Sequence, residues 1–323
     1  MKMENENEKE IEQEQEIEIY NNIGITELVT KTYSFLKNNI KEILKLIFLM
    51  IIFGAIFFVA IAFSTAIIIN AKIIDDFIAT LMVVLIFGIV IFYLQSIYIS
   101  TLKNLCAMWF LNEEKPKLKD CYKNIKGKKL NIFKSNLIKR IILYFFILIH
   151  ISPYIANFVG LALRHQEYNM DSLISNAFFN PAIIIIAFIL FIPCIYFGLR
   201  TAFNLESVIF NDKLAMESIE DSMSITKNKA LSLLFYYIVI SIITNIITGV
   251  LTLFIEFFII MPSLFISTTG INEIFLSIMF IILMICLIAL GIIINSAIYV
   301  GETIKFIDII REKNLKSCLQ NND

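Results

Sequence analysis

The residues of this 323-residue chain suited by type to chemistry are two histidines, five cysteines and a few amides in apolar surroundings. His150 lies in a long apolar run, and Ser152 and Pro153 follow it. A proline there should kink the helix and expose a carbonyl. A proton relay through His150 is one reading. A packed, hydrogen-bonded histidine is the expected one, because neither His150 nor His165 has a carboxylate or cysteine at metal-ligand spacing. Cys106, Cys121, Cys194, Cys286 and Cys318 show no paired spacing, so neither a disulfide nor a metal knot is expected. No glycine-rich phosphate loop and no metalloprotease helix motif occurs, and no cofactor is called for.

Polar residues within apolar runs are functional candidates by default. Here they are Gln95, His150, Asn157, Asn245 and Asn295, with Glu302 at a boundary. They would line a translocation path if one exists, although hydrogen bonds between helices account for them as well. The absence of acids in the middle of the runs argues against proton or sodium coupling. A second set is basic. Lys37, Lys134 and Lys227 each precede an apolar run, and Lys103, Arg200 and Lys305 each follow one. Such residues are candidates for anionic lipid headgroups. Arg200 is the strongest of the six, since a guanidinium can hold two phosphate oxygens and Gly198 leaves room beside it.

The elements that must position these residues are membrane spans. The chain is 58% hydrophobic and 17% charged, with a mean hydropathy of +0.79. A soluble domain is nearer 45–50% apolar and about 25% charged. This composition excludes a soluble enzyme, a disordered chain, a disulfide scaffold and a basic nucleic-acid binder. Six runs reach the roughly 20 apolar residues that a spanning helix needs: Leu46–Asn70, Phe77–Leu102, Leu137–Leu163, Phe178–Thr201, Ala230–Ile260 and Ile274–Val300. Backbone groups in lipid must be satisfied internally, so each run should be helical. Lys and Arg mark the cytosolic side. With both termini cytosolic, 25 of the 27 basic residues fall inside, leaving only Lys72 and Arg164. The outer loops then hold Asp75, Asp76, Glu167, Asp171 and Glu273. Trp109, just past the second run, reads as an interfacial anchor. The N-terminus lacks a signal-peptide pattern. Glutamate fills every even position from Glu4 to Glu18, which predicts an acidic disordered tail over residues 1–22.

A threefold repeat underlies the runs. The even runs close on Ser96-Ile97-Tyr98-Ile99-Ser100, Cys194-Ile195-Tyr196-Phe197-Gly198 and Ala297-Ile298-Tyr299-Val300-Gly301, each followed by a basic residue. The odd runs open after Lys37-Asn38, Lys134-Ser135 and Lys227-Asn228. Both landmarks recur at about 100 residues. The expected fold class is therefore all-α: a polytopic membrane protein with six transmembrane helices in three parallel two-helix repeats. The repeats occupy residues 23–113, 114–211 and 212–316, and a short tail follows at 317–323. Each opens with a cytosolic amphipathic segment. In the third, Ala215, Ile219, Ser222 and Met223 share a helical face. These segments either lie along the inner leaflet or pack on the bundle. Small residues four apart, Ala156 with Gly160 and Ala297 with Gly301, permit close helix approach.

An acidic, Ser-bearing helix, Ala215 to Asn228, ends in Thr226-Lys227-Asn228 and runs into an apolar span, with Arg200-Thr201-Ala202-Phe203 before it. This arrangement resembles the six-helix bacterial membrane domain found beside some glycerophosphoryl diester phosphodiesterases, and its stand-alone relatives. The likeness covers most of the chain beyond the acidic tail. It departs from the usual pattern at Asn228, where glycine is common, and at Glu220 and Asp221, where basic residues are common. It implies the architecture rather than a chemistry. A phosphodiesterase would need a separate catalytic domain, and the longest non-membrane stretch, about residues 103–136, is too short for one. The expected function is thus a non-enzymatic, multi-pass plasma-membrane protein that organises or assists membrane proteins or lipids at the cytosolic leaflet. Its expected partners are membrane lipids, anionic phospholipid among them, or a membrane protein, and not nucleic acid. The alternatives are a transporter or lipid translocator and, last, an enzyme of lipid headgroups.

Overall fold

The computed structural model describes residues 23–70, 76–112, 116–164, 180–255 and 291–311. Among these, every regular element is a helix. In chain order they are α1 (Ile25–Asn38), α2 (Ile40–Asn70), α3 (Asp76–Asn112), α4 (Leu118–Ile125), α5 (Lys129–Arg164), α6 (Pro181–Arg200), α7 (Asn204–Phe210), α8 (Ala215–Ile225), α9 (Ala230–Ile255) and α10 (residues 291–311). Four stretches, Leu81–Leu111, Leu118–Gly160, Pro181–Phe210 and Ala230–Val250, are long and apolar enough to cross a membrane. Large apolar side chains such as Phe48, Leu85, Phe188 and Leu231 stand exposed along the helices. Apolar surface on that scale needs an apolar solvent, so the chain is a membrane protein. The acidic tail, His165, Glu167, Asp171, Glu273, the first part of the sixth run and residues 317–323 lie outside the described residues.

The chain divides into two compact units, Gly127–Leu233 and the remainder, Met1–Lys126 with Leu234–Asp323. In both, the protein core gathers at one end of the long helices. Residues 98–107, 201–209 and 300–309 are buried without interruption, and each stretch starts at the end of an apolar run and continues beyond it. Helix α3 shows why. Its 37 residues reach about 55 Å, against roughly 30 Å for a bilayer core, so its last turns must pack on protein.

In the larger unit, α1 buries Leu28, Thr32, Phe35 and Leu36, the i, i+4, i+7, i+8 stripe of an amphipathic helix. Phe35 meets Trp109 edge-on at 5.4 Å, so the tryptophan is packed against α1. The amide of Asn104 donates to the Cys121 carbonyl at 2.9 Å, which ties α4 to α3. The Tyr33 hydroxyl of α1 is buried and has no hydrogen-bond partner among the described residues, and burial raises its pKa above the ordinary tyrosine value. It therefore stays a neutral donor at any physiological pH.

In the smaller unit, α6 starts at an Asn-Pro pair. Pro181 takes the first helical position and the Asn180 side chain accepts from the Ala182 N–H at 3.0 Å. Pro153 sits inside α5 and cannot donate to the Ile149 carbonyl, one turn back. Ser152 Oγ donates to that carbonyl at 2.7 Å. The carbonyl expected to be exposed is thus occupied and the helix runs on. Helix α8 buries Ala215, Ser218, Ile219 and Ser222 and packs on α5, α6 and α7. Of the two placements open for this segment, the structure shows packing on protein.

The break between α6 and α7 depends on α8. Ser222 Oγ donates to the Arg200 carbonyl and accepts from the Phe203 N–H, both at 3.0 Å, and Thr226 Oγ1 donates to the same carbonyl at 2.9 Å. Replacing Ser222 with alanine takes an acceptor from the buried Phe203 N–H and removes one of two donors from the carbonyl. The expected cost is about 2 kcal/mol, read as a lower thermal midpoint in detergent. Ser224→Ala, at an exposed position of the same helix, should leave the midpoint unchanged; equal effects would remove the bridging role.

Candidate functional site

The six basic candidates separate into two groups. Lys37, Lys134 and Lys227, at the entries to the odd runs, are exposed. Lys103 and Lys305, at the exits of even runs, are only 1% and 2% exposed. A headgroup contact would put their ammonium groups at the membrane surface; internal carboxylates hold them in the core instead. Lys103 Nζ donates to Glu302 Oε2 at 2.6 Å and stands 5.9 Å above the Tyr299 ring. The other carboxylate oxygen of Glu302 accepts from the Tyr237 hydroxyl. Lys305 pairs with Asp308 at 2.8 Å and donates to the Ile23 carbonyl at 3.3 Å. Arg200 is half-buried. Nη1 donates to the Tyr196 hydroxyl at 3.1 Å, Nη2 donates to the Met223 carbonyl, and the guanidinium lies 5.6 Å from the Tyr196 ring centre. Protein groups thus engage one hydrogen of each terminal nitrogen, and the buried Nε has no partner among the described residues.

The intramembrane polar candidates also part company. His150 Nδ1 donates to the Ala187 carbonyl at 2.7 Å, and its ring lies 5.0 Å from that of Phe191. That hydrogen bond places the proton on Nδ1, and the contacts are those of a packed, structural histidine. Asn157 is half-buried on α5, and Asn245 is exposed on α9. Gln95 and Asn295, 200 residues apart in sequence, come together. With Ile47, Met50 and Gly54 of α2, Ile91, Leu94, Tyr98 and Ile99 of α3, and Ile292, Ile298 and Tyr299 of α10, they line an open groove of about 430 Å³. Its floor is fixed by the Tyr98 hydroxyl and Ser296 Oγ, 2.7 Å apart. Among the described residues, no group of three His, Cys, Asp or Glu side chains is placed to hold a metal ion.

Several residues that matter here escaped the sequence reading. Tyr236 donates to the Ala297 carbonyl at 2.7 Å and lies over Gly301. Tyr237 and Asp308 complete the buried ionic groups. Thr101, Thr201 and Thr303 each donate to the carbonyl four residues back, of Ile97, Phe197 and Tyr299, at 2.8, 2.8 and 3.1 Å. These threonines recur every 100 to 102 residues, but they stand three, five and four residues after Tyr98, Tyr196 and Tyr299 and so do not keep the tyrosines' register. No protein-family model, curated protein or solved structure matches the chain.

Proposed function

We propose that this is a non-enzymatic, multi-pass protein of the plasma membrane, with both termini cytosolic and six spans in three parallel repeats. In this reading it organises lipid or membrane proteins at the inner leaflet. One observation carries it: Lys103, Lys305, Glu302, Asp308 and His150 are bound to structural partners, whereas the three entry lysines face outward. Glu302 bridges Lys103 and Tyr237, Asp308 holds Lys305, and His150 is tied to Ala187. Lys37, Lys134 and Lys227 remain for the negatively charged leaflet surface. The shared period of the entry lysines and exit tyrosines supports the repeats, and the lysine asymmetry supports the threading. The resemblance to the membrane domain beside glycerophosphoryl diester phosphodiesterases supports the six-span architecture of this reading and not its role.

Each basic residue near an anionic leaflet contributes on the order of 1 kcal/mol. Changing all three lysines to glutamine should therefore lower the ratio of anionic to zwitterionic phospholipid retained through detergent purification by roughly tenfold or more, with an unchanged thermal midpoint. Mass spectrometry of the co-purified lipid reads the ratio. An unaltered ratio, or turnover of a lipid headgroup by the purified protein, would overturn the proposal.

A further inference from the structure

We propose that the groove between α2, α3 and α10 seats an uncharged glycerolipid with a free hydroxyl, of the diacylglycerol class. Asn295 binds its hydroxyl and ester, and the apolar floor holds the start of an acyl chain. The inference rests on the membrane reading above, because it takes these helices as lipid-embedded.

Size and shape suit such a ligand. A volume of 430 Å³ lies within the roughly 300–1,000 Å³ usual for small-molecule sites. The groove extends from Ile91 to Ile99 along α3, about 12 Å at 1.5 Å per residue. A partner helix crossing the bilayer would present about 20 residues, far more than two turns can receive. An acyl chain entering from the headgroup level needs no more than those turns.

The polar groups select the headgroup. Gln95, Tyr98, Asn295 and Tyr299 lie toward the end where the chain's charges gather, and Gly54, Ile91 and Ile292 lie at the other. Asn295 is exposed on a helix that continues an apolar run. One of its amide hydrogens is given to the Gly291 carbonyl at 2.9 Å. Its amide oxygen accepts nothing, and its second N–H donates to nothing, among the described residues. An amide facing lipid with open hydrogen-bonding capacity is costly. The oxygen requires a donor and the N–H an acceptor, which a hydroxyl and a neighbouring ester carbonyl supply together. Charge decides against a phosphate. None of the lining residues carries a charge, and Lys103, which stands 5.9 Å above the ring of the lining Tyr299, is paired with Glu302 in the core. A diacylglycerol brings the needed hydroxyl without a charge.

The test uses the full chain in phosphatidylcholine vesicles with photoactivatable lipids carrying a diazirine in the acyl chain: a diacylglycerol, a phosphatidic acid and a phosphatidylcholine. The diacylglycerol probe should label peptides spanning Leu94–Ile99 and Ile292–Tyr299 roughly tenfold more than the other two, as expected for one or two neutral hydrogen bonds. Asn295→Leu should abolish that preference. Gly54→Phe should bring labelling of the groove down to the phosphatidylcholine level, because a side chain built on Gly54 meets no atom within 4 Å and is free to fill the groove. Labelling of the exposed α6 positions Ile185, Phe188 and Ile192 should be the same for every probe and variant, with parent-like melting. Equal labelling by the three probes, preference for phosphatidic acid, or full labelling of Gly54→Phe would each overturn the proposal. So would a protein–protein crosslink at the groove in place of lipid. None of these results touches the retention measurement on the entry lysines, so the two readings fail separately.

Discussion

Glu302→Ala is expected to destabilise the protein by about 3–5 kcal/mol, the cost of stranding one member of a buried ion pair. Lys103, only 1% exposed, would lose the carboxylate that its ammonium donates to at 2.6 Å. The Tyr237 hydroxyl would lose its acceptor as well. Burial makes this pair different from Lys31 with Glu27, which sit 2.7 Å apart on the exposed side of α1. An exposed i, i+4 pair contributes only about 0.3–0.5 kcal/mol, so Glu27→Ala is the control. The sharper arm is the double variant Lys103→Met with Glu302→Leu. Removing both charges together avoids the stranded ion, and the double variant should recover most of the stability lost by Glu302→Ala. Thermal unfolding in detergent measures all three. A Glu302→Ala midpoint equal to that of Glu27→Ala, or a double variant no better than the single, would show that the pair is not desolvated as the structure has it.

Four spanning helices were legible because the signal is additive: twenty apolar residues outweigh the strand preference of their many isoleucines and phenylalanines. The candidate site was legible only where a property is local. Lys37 and Lys103 look alike in sequence, each a lysine beside an apolar run. What separates them is Glu302, 199 residues beyond Lys103, and nothing near Lys103 announces it. The same holds for Gln95 and Asn295, each recognisable as a polar residue in an apolar run but joined only by the packing of α3 and α10. The amphipathic stripe of α8 was readable as a stripe, yet a lipid surface and a protein surface both bury one. Ser222 carried the deciding information, since its hydroxyl at the centre of the stripe needs polar partners, and the broken helix at Arg200 supplies them. The tyrosines that mark the repeat differ in environment. Tyr98 is buried on Ser296, Tyr196 is 54% exposed beside Arg200, and Tyr299 lies beneath Lys103. Sequence similarity at those positions therefore does not bring a shared role with it.

Gly301→Ala is the second substitution expected to have a large effect. The small-residue pair Ala297 and Gly301 forms a notch on α10, and Tyr236 of α9 lies in it, fully buried, with its hydroxyl donating to the Ala297 carbonyl. A Cβ on Gly301 would stand 1.7 Å from the Tyr236 hydroxyl oxygen, 2.1 Å from Cζ and 2.7 Å from Cε2. The ring cannot swing aside without breaking its hydrogen bond and leaving its packed site. Overpacking of this kind costs about 1–3 kcal/mol, and loss of the Tyr236 hydrogen bond adds about 1 kcal/mol. Gly160 gives the contrast. It belongs to the other small-residue pair, with Ala156, but a Cβ there meets nothing within 4 Å. Gly160→Ala should therefore be neutral or stabilising, since alanine is the better helix former by up to about 1 kcal/mol. Tyr236→Leu removes the three atoms that collide, so Gly301→Ala should cost less in that background than in the parent. Additive losses in the double variant would mean that Gly301 is needed for some reason other than the ring above it.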